Sequence, residues 1–360
     1  MDGKTIEEYR EDFPALKRQR KGKPPIYLDN ACTTMVPRQV IASIEEYYTD
    51  YPACSGTRSR HWFAREVFER IEGNPGKGRE GSRRIIAGFI NASSEKEIIF
   101  TMNTTHALNM VALGFPFQSG DVVLLTDKEH NSNLLPWLKL QKAGRIKIDF
   151  TVSNDRDEFD LDDFEHKMKN NHVRLVSMTY TSNITGYTIP AKEIIKIAHQ
   201  YGALVLLDAA QTAPHQRIDV QSLDVDFLAF SLHKMCGPRG VGVLYGKKEL
   251  LGQKPHEEYE ADHVIAPVFL GGATVANSTY NSYTLLLPPY RFEAGIQDYP
   301  AQIASGAAVQ YLQEIGMDRI RDHVAGLNHF LSGELMKRYG DTGWFRIIGP
   351  QDASQRGGIL

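Results

Sequence analysis

The chain has 360 residues, 42% of them apolar, and its 41 Lys and Arg nearly balance 44 Asp and Glu for a formal net charge of −3. That length and apolar content suffice for a substantial core, arranged as one large domain plus a smaller one. The near balance and the lack of a basic block give no bulk-charge signal for nucleic acid or an anionic membrane surface.

The opening MDGKTIEEYREDF carries acids and no apolar leader core, and no run approaches the length of a membrane span, so the sequence reads as cytoplasmic. Residues 1–25 are polar and end in KRQRKGKPP, which predicts an arm or lead-in helix and a solvated connector, with the ordered chain starting near residue 26. IYLDNA then reads as a short strand and VPRQVIASIEEYYTDY as a helix with apolar positions at helical spacing. GNPGKGREG at 73–81 lacks the spacing of a phosphate loop and follows a helix rather than a strand, so it reads as an exposed turn.

From residue 95 the pattern alternates. EIIFT, VVLLTD, RIKIDF, VRLVSMTY, ALVLLD and FLAFS are short apolar runs, separated by helical segments such as THALNMVALGF, NLLPWLKLQKAG and PAKEIIKIAHQYG. Runs this apolar suit strands buried on both faces, which predicts a mostly parallel sheet covered by helices. Residues 255–300 break the rhythm as a loop-rich crossover, long helices follow from residue 301, and WFRIIGP and GGIL read as the first strands of a small α+β domain. One or two strands cannot bury their own face, so that domain is expected to be incomplete. The resulting division is an arm at 1–25, a large domain at 26–300, and linking helices with the start of a small domain at 301–360.

Candidate chemistry centres on Lys234, in SLHKMCGPRG after the apolar run FLAFS, and on Asp208, which ends ALVLLD. In an open α/β sheet, ligands sit beyond the carboxyl ends of the strands. A lysine and an aspartate in one such crevice are the pair that pyridoxal phosphate needs: an amine for a Schiff base, and a carboxylate to keep the pyridine nitrogen protonated. Thr104 and Thr105 stand at a strand-to-helix junction, where hydroxyls and free amides hold an anion or simply cap the helix. His130 follows another strand run, with an aromatic ring suited to stacking.

Taken in order, IYLDNACTT, FTMNTTHALNMVA, KEHNSNLLPW, TYTSNITGYTIP, LLDAAQTAPHQRIDV, FLAFSLHKMCGPRGVGVLYG and RFEAGI resemble the class V aminotransferase family of fold type I pyridoxal phosphate enzymes. The resemblance is greatest to the cysteine desulfurase and selenocysteine lyase branch and runs from about residue 26 to 310. It implies a large domain with a mostly parallel seven-stranded sheet, a small α+β C-terminal domain and a homodimer. It also implies roles: Lys234 as the Schiff-base lysine, Asp208 as partner of the pyridine nitrogen, Gln211 on the ring hydroxyl and His130 stacked on the ring. Thr105, Ser231 and His233 match phosphate ligands, with Thr104 beside them, and Asn183 matches an asparagine near the ring oxygen and the substrate carboxylate. The implied reaction converts L-cysteine to L-alanine, with Lys234 as base and the sulfur passed as a persulfide to an acceptor or scaffold protein serving iron-sulfur clusters or thio-modified RNA.

The sequence departs from the family pattern in places. The family's nucleophilic cysteine and its carboxylate-binding arginine lie beyond the strand that RGGIL begins, so the nucleophile is expected in a tail after residue 360. Ile296 follows FEAG where relatives commonly carry threonine, and an isoleucine cannot donate a hydrogen bond to phosphate. The three cysteines, Cys32, Cys54 and Cys236, contain no CxxC and form neither a disulfide framework nor a zinc knuckle. Cys236 reads as a small buried hydrophobe. Cys32 and Cys54, with Arg58, Arg60 and His61, fall in segments that in relatives approach the cleft. Two other readings stay open: another class V enzyme (an aminotransferase, a selenocysteine or other amino-acid lyase, or an epimerase), and a scaffold that kept the fold without the chemistry.

Overall fold

The computed structural model describes residues 3–56, 59–252 and 265–359; Arg58 lies outside them. In chain order the elements are helices α1 (Ile6–Arg10), α2 (Arg38–Asp50), α3 (Trp62–Glu72) and α4 (Ser82–Phe89), then β1 (Ile98–Thr101), α5 (Thr104–Gly114), β2 (Val122–Thr126), α6 (Asn131–Lys142), β3 (Lys147–Thr151), α7 (Leu161–Asn170), β4 (Val173–Thr179), α8 (Ala191–Gln200), β5 (Leu204–Asp208), α9 (Val220–Leu223), β6 (Phe227–Ser231), β7 (Gly242–Gly246), β8 (Val275–Ser278), β9 (Tyr283–Leu285), α10 (Tyr299–Ile315) and α11 (Met317–Tyr339). The main sheet has seven strands in the order β1-β7-β6-β5-β4-β2-β3. Its described pairings are parallel except that of β1 with β7, so the mixed, mostly parallel sheet is as expected.

The chain divides into two compact units, one of residues 104–230, 259–266 and 317–360, the other of residues 1–103, 231–258 and 267–316. In the first, β2, β4, β5 and β6 are almost wholly buried, as suits strands that helices cover on both faces. The covering helices follow from their spacing. In α8 the buried residues are Ala191, Ile194, Ile195 and Ala198, a stripe at i, i+3, i+4 and i+7. Helix α7 starts at Asp160, whose side chain accepts from the amides of Asp162 and Asp163.

In the second unit, α10 packs on α2, α3 and α4. Gly306 permits the approach to α4, because a Cβ there would lie 2.9 Å from Ser82 Cβ. The lead-in segment is tied to the same helix. Thr5 and Glu8 form a capping box on α1, Tyr9 and Phe13 meet the Tyr311 ring edge-on, and Tyr311 Oη donates to Asp12 at 3.1 Å. The segment before residue 26 is therefore folded against α10 rather than a free arm. The 73–81 turn is as read: Asn74 bridges to Arg79, and Lys77 pairs with Glu69 at 2.8 Å.

Three local expectations are corrected. IYLDNA is not a strand: Ile26 and Leu28 are 89% and 86% exposed, and the Tyr27 hydroxyl instead donates to Thr33 O at 2.8 Å, closing a loop. The stretch read as a loop-rich crossover contains the β8–β9 antiparallel hairpin. WFRIIGP and GGIL form no strand among the described residues; one short turn at Ala353–Gln355 and a single bridge from Arg356 to Tyr187 stand there. A strand needs a neighbour to satisfy its amides, and this segment meets only one residue of another loop in ladder geometry.

Candidate active site

The lysine loop is built from two distant pieces of sequence. Strand β6 ends at Ser231, which is buried, and one 3-10 turn, Leu232–Lys234, follows. Leu232 O then accepts from Met235 N at 2.8 Å and from Gly237 N at 2.9 Å. A Cβ on Gly237 would sit 2.7 Å from that oxygen, so only glycine closes the turn. The threonines of DNACTT hold it from the other side. His233 O accepts from Thr34 N at 2.8 Å, Thr34 Oγ1 at 3.0 Å and Thr33 Oγ1 at 3.1 Å, and Thr34 Oγ1 accepts from Cys236 N at 2.8 Å. Lys234 is half-buried on a turn whose flanking peptide groups are thus fixed. Burial lowers the pKa of His233, and the charges of Lys234 and Arg239 lower it further, against a hydrogen bond to the Cys32 backbone.

The remaining expected residues lie in the unit of β2 to β6. Asp208 ends β5, 4% exposed, and its Oδ1 accepts from Ala210 N at 2.9 Å. Gln211, also buried, stands in the turn that follows. Asn183 sits in the 181–188 loop, which a ladder of hydroxyls joins to that turn: Thr212 Oγ1 to Thr181 Oγ1 at 2.9 Å, Thr181 to Thr188 at 2.9 Å, and Gln216 Nε2 to Thr188 Oγ1 at 3.1 Å. Gly357 N donates to Gly186 O at 2.7 Å and pins the far end of the loop.

Thr104 and Thr105 open α5, the first buried and the second exposed. Thr105 Oγ1 lies 2.7 Å from Ser132 Oγ, which lies 3.0 Å from His130 Nδ1. His130 is the N-cap of α6, and its Nδ1 accepts from Ser132 N at 3.1 Å. That bond leaves the proton of the neutral ring on Nε2. The structure therefore joins Thr105 and His130 through Ser132, a residue not foreseen in the sequence, whose signal is its place two residues after an N-cap.

Glu129 was also not foreseen. Its carboxylate accepts from Thr126 Oγ1 at 2.7 Å, Asn133 Nδ2 at 2.7 Å and Thr179 N at 3.0 Å, linking the carboxyl ends of β2 and β4 to the start of α6. Thr179 in turn pairs in register with Asp208. Burial pushes the Glu129 carboxyl up to about 7, with the Asp208 charge adding to it against those donors. A carboxyl raised in the folded state stabilises the fold when protonated, and this contribution is lost as pH rises from about 4.5 to about 7. Glu129→Gln removes the titration, so the variant should lose less stability than the parent between about pH 5 and about pH 8 in urea melts. Equal losses would refute this assignment.

Other expected positions are less engaged. His61 caps α3 through Nδ1, accepting from Phe63 N at 3.2 Å, and Arg60 is exposed. Cys32 and Cys54 are exposed, whereas Cys236 is half-buried and its surroundings push the thiol up to about 11. Ile296 is 80% exposed and lines a cavity of about 530 Å³ with Cys54, Tyr290 and Tyr299. Among the described residues no three His, Cys, Asp or Glu side chains group as metal ligands, and no helix is long and apolar enough to cross a membrane.

Comparison with known proteins places this arrangement. A probable cysteine desulfurase of Streptomyces coelicolor is 38% identical over 98% of this chain and 81% of its own length. One of Synechocystis is 37% identical over 95% and 76%. Among solved structures, the apo cysteine desulfurase from Thermococcus onnurineus superposes with a TM-score of 0.86 at 32% identity, covering 99% of this chain and 81% of that one. A cysteine desulfurase from Escherichia coli gives 0.78 at 30% identity, over 92% and 77%. The family model for aminotransferase class-V matches residues 26–360, and the chain belongs to that family.

Proposed function

We propose that this protein is a pyridoxal phosphate-dependent cysteine desulfurase, converting L-cysteine to L-alanine with transfer of the sulfur as a persulfide. The observation that carries the reading is the fixed lysine turn after β6 within a chain that matches desulfurases over nearly its whole length.

The residues present fit the cofactor by their chemistry. Lys234 supplies a primary amine for covalent attachment, Asp208 a buried carboxylate for a ring N–H, and Gln211 a hydrogen-bonding group for the ring hydroxyl. His130 offers a ring face, and Thr104, Thr105, Ser231 and His233 offer phosphate donors, with Asn183 toward the ring oxygen. Bound there, pyridoxal phosphate supplies an electron sink for charge developed at the substrate Cα.

The chain's own groups then divide the work. Asp208, whose Oδ1 accepts from the Ala210 amide, would accept the ring N–H and hold its proton in place. With the cofactor bound, the Lys234 amine would serve as the base for the substrate Cα proton; the Thr33 and Thr34 bonds to the preceding carbonyl limit how far its turn moves. His130 presents Nε2–H, because Ser132 occupies Nδ1. Burial, which pushes the Cys236 thiol up to about 11, disfavours its thiolate and so argues against it as the sulfur acceptor. A homodimer is part of the proposal, resting on the family to which the chain belongs.

The test is to load the purified protein with pyridoxal phosphate, add L-cysteine, and measure alanine and protein-bound sulfane sulfur together. Both should rise in equal amounts. Cofactor uptake without either product from cysteine, but with turnover of another amino acid, would replace this reading with a different class V activity.

A further inference from the structure

A second cavity, of about 520 Å³, lies within the unit of β2 to β6 and is lined by Tyr187, Thr188, His215, Arg321, Asp322 and Arg356 among others. Its volume is within the range of small-molecule sites. The backbone at Arg356 is pinned from two sides. Gly357 N donates to Gly186 O, and Asn328 Nδ2 of α11 donates to Gly357 O at 2.9 Å and to Ile359 O at 3.0 Å.

Held in this way, the Arg356 side chain is only 3% exposed. Nη2 donates to Ser332 Oγ at 2.8 Å, and Ser332 Oγ donates onward to Asn328 Oδ1 at 3.2 Å. Nε and Nη1, which carry three of the five guanidinium N–H groups, are buried and have no acceptor among the described residues. The acids nearby are engaged elsewhere: Asp322 pairs with Arg321 at 2.8 Å, and Asp352 is an N-cap that accepts from Ser354 N.

A second deeply buried guanidinium, that of Arg83, makes the contrast. Arg83 is met by Glu72, Glu293 and the Ile98 carbonyl, as burial of a cation requires. Arg356 has one hydroxyl. Burying three donors without acceptors is costly, and burial lowers the pKa of this guanidinium, with the charge of Asp352 acting against it through space. Because Ser332 is its one hydrogen-bonded tether, rotation of the terminal torsions can bring the free donors toward the cavity that Arg356 lines.

We propose that Arg356 anchors a binding site in this cavity for a small organic carboxylate. A carboxylate matches the planar guanidinium with two charge-assisted bonds, and it supplies the acceptors that Nε and Nη1 lack. The inference does not depend on the cofactor or on desulfuration.

The test uses the intact protein, ¹⁵N-labelled at arginine, titrated with succinate at constant ionic strength against chloride as the control anion. The Nε–H resonance of Arg356, assigned by its loss in Arg356→Lys, should move saturably with a dissociation constant of about 1 mM or tighter. The melting temperature should rise with succinate in the parent and stay flat in Arg356→Gln. An Nε–H resonance that does not move, or moves equally with chloride, would overturn the proposal. So would an equal thermal rise in Arg356→Gln. If that variant does not fold, the resonance titration of the parent decides alone.

Discussion

Lys234→Ala is expected to lower turnover of L-cysteine by about 10³-fold or more, the scale on which a positioned proton-transferring group acts. It should also abolish covalent retention of cofactor. Reduction with borohydride followed by mass spectrometry should fix the cofactor on the parent peptide containing residue 234 and leave that of the variant unmodified. The fold should be unaffected, because what shapes the turn is not the lysine side chain. Gly237 closes it on Leu232 O, and Thr33 and Thr34 clamp the His233 carbonyl. Urea melts of parent and variant, both freed of cofactor, should therefore nearly coincide. A variant within tenfold of the parent would show that another base takes the Cα proton and would remove Lys234 from its assigned role.

What the sequence made legible was whatever repeats or stands next to a strand end. The runs that became β2, β4, β5 and β6 are buried along almost their whole length, so composition alone marked them. Lys234 and Asp208 each follow such a run, which is why the two were readable as candidates. Groups that act through distant partners were less visible. Thr33 and Thr34 stand about 200 positions from the peptide they clamp, and nothing local in DNACTT states that role. Ser132 looks like an ordinary helix-start serine until Thr105 is found at 2.7 Å. Glu129 precedes the predicted histidine, yet only the meeting of β2 and β4 surrounds its carboxylate with Thr126, Asn133 and Thr179. IYLDNA failed the opposite way: it reads as a short strand, but no neighbour among the described residues pairs with it, and the Tyr27 hydroxyl turns the chain back on itself. Residues 344–359 are nearly as poor in ladder partners, with the single Arg356–Tyr187 bridge.

The cluster around Arg83 carries the largest stability effect expected from one substitution. Arg83, on α4, donates to both Glu293 oxygens, at 2.7 and 3.0 Å, and to Glu72 at 2.9 Å; its guanidinium lies 4.6 Å from the centre of the Phe100 ring. Glu293 also accepts from Phe100 N at 2.7 Å, so one carboxylate ties strand β1 to helix α4. Burial alone would lower the pKa of Arg83, but Glu293 and Glu72 outweigh it and raise it. Burial likewise raises Glu293, with Arg83 holding it down. Arg83→Met keeps much of the volume and removes the charge, stranding Glu293 in an apolar site. The expected cost is about 3–5 kcal/mol in urea unfolding.

Its pH dependence distinguishes a stranded charge from lost packing. Without Arg83, the folded-state pKa of Glu293 climbs further above its unfolded value, so the stability it contributes when protonated is lost as pH rises through the new pKa. The deficit of Arg83→Met against the parent should therefore be larger at about pH 8 than at about pH 5. Adding Glu293→Gln should recover part of it, because glutamine keeps an acceptor for Phe100 N without the charge, and the double-mutant cycle should give a coupling of about 1–3 kcal/mol. A deficit that is flat with pH and untouched by Glu293→Gln would assign the loss to packing against Phe100 and Tyr290. In that case the ion pair would be a passenger in the unit that carries the lysine turn, and the apolar contacts would be what holds α4 on β1.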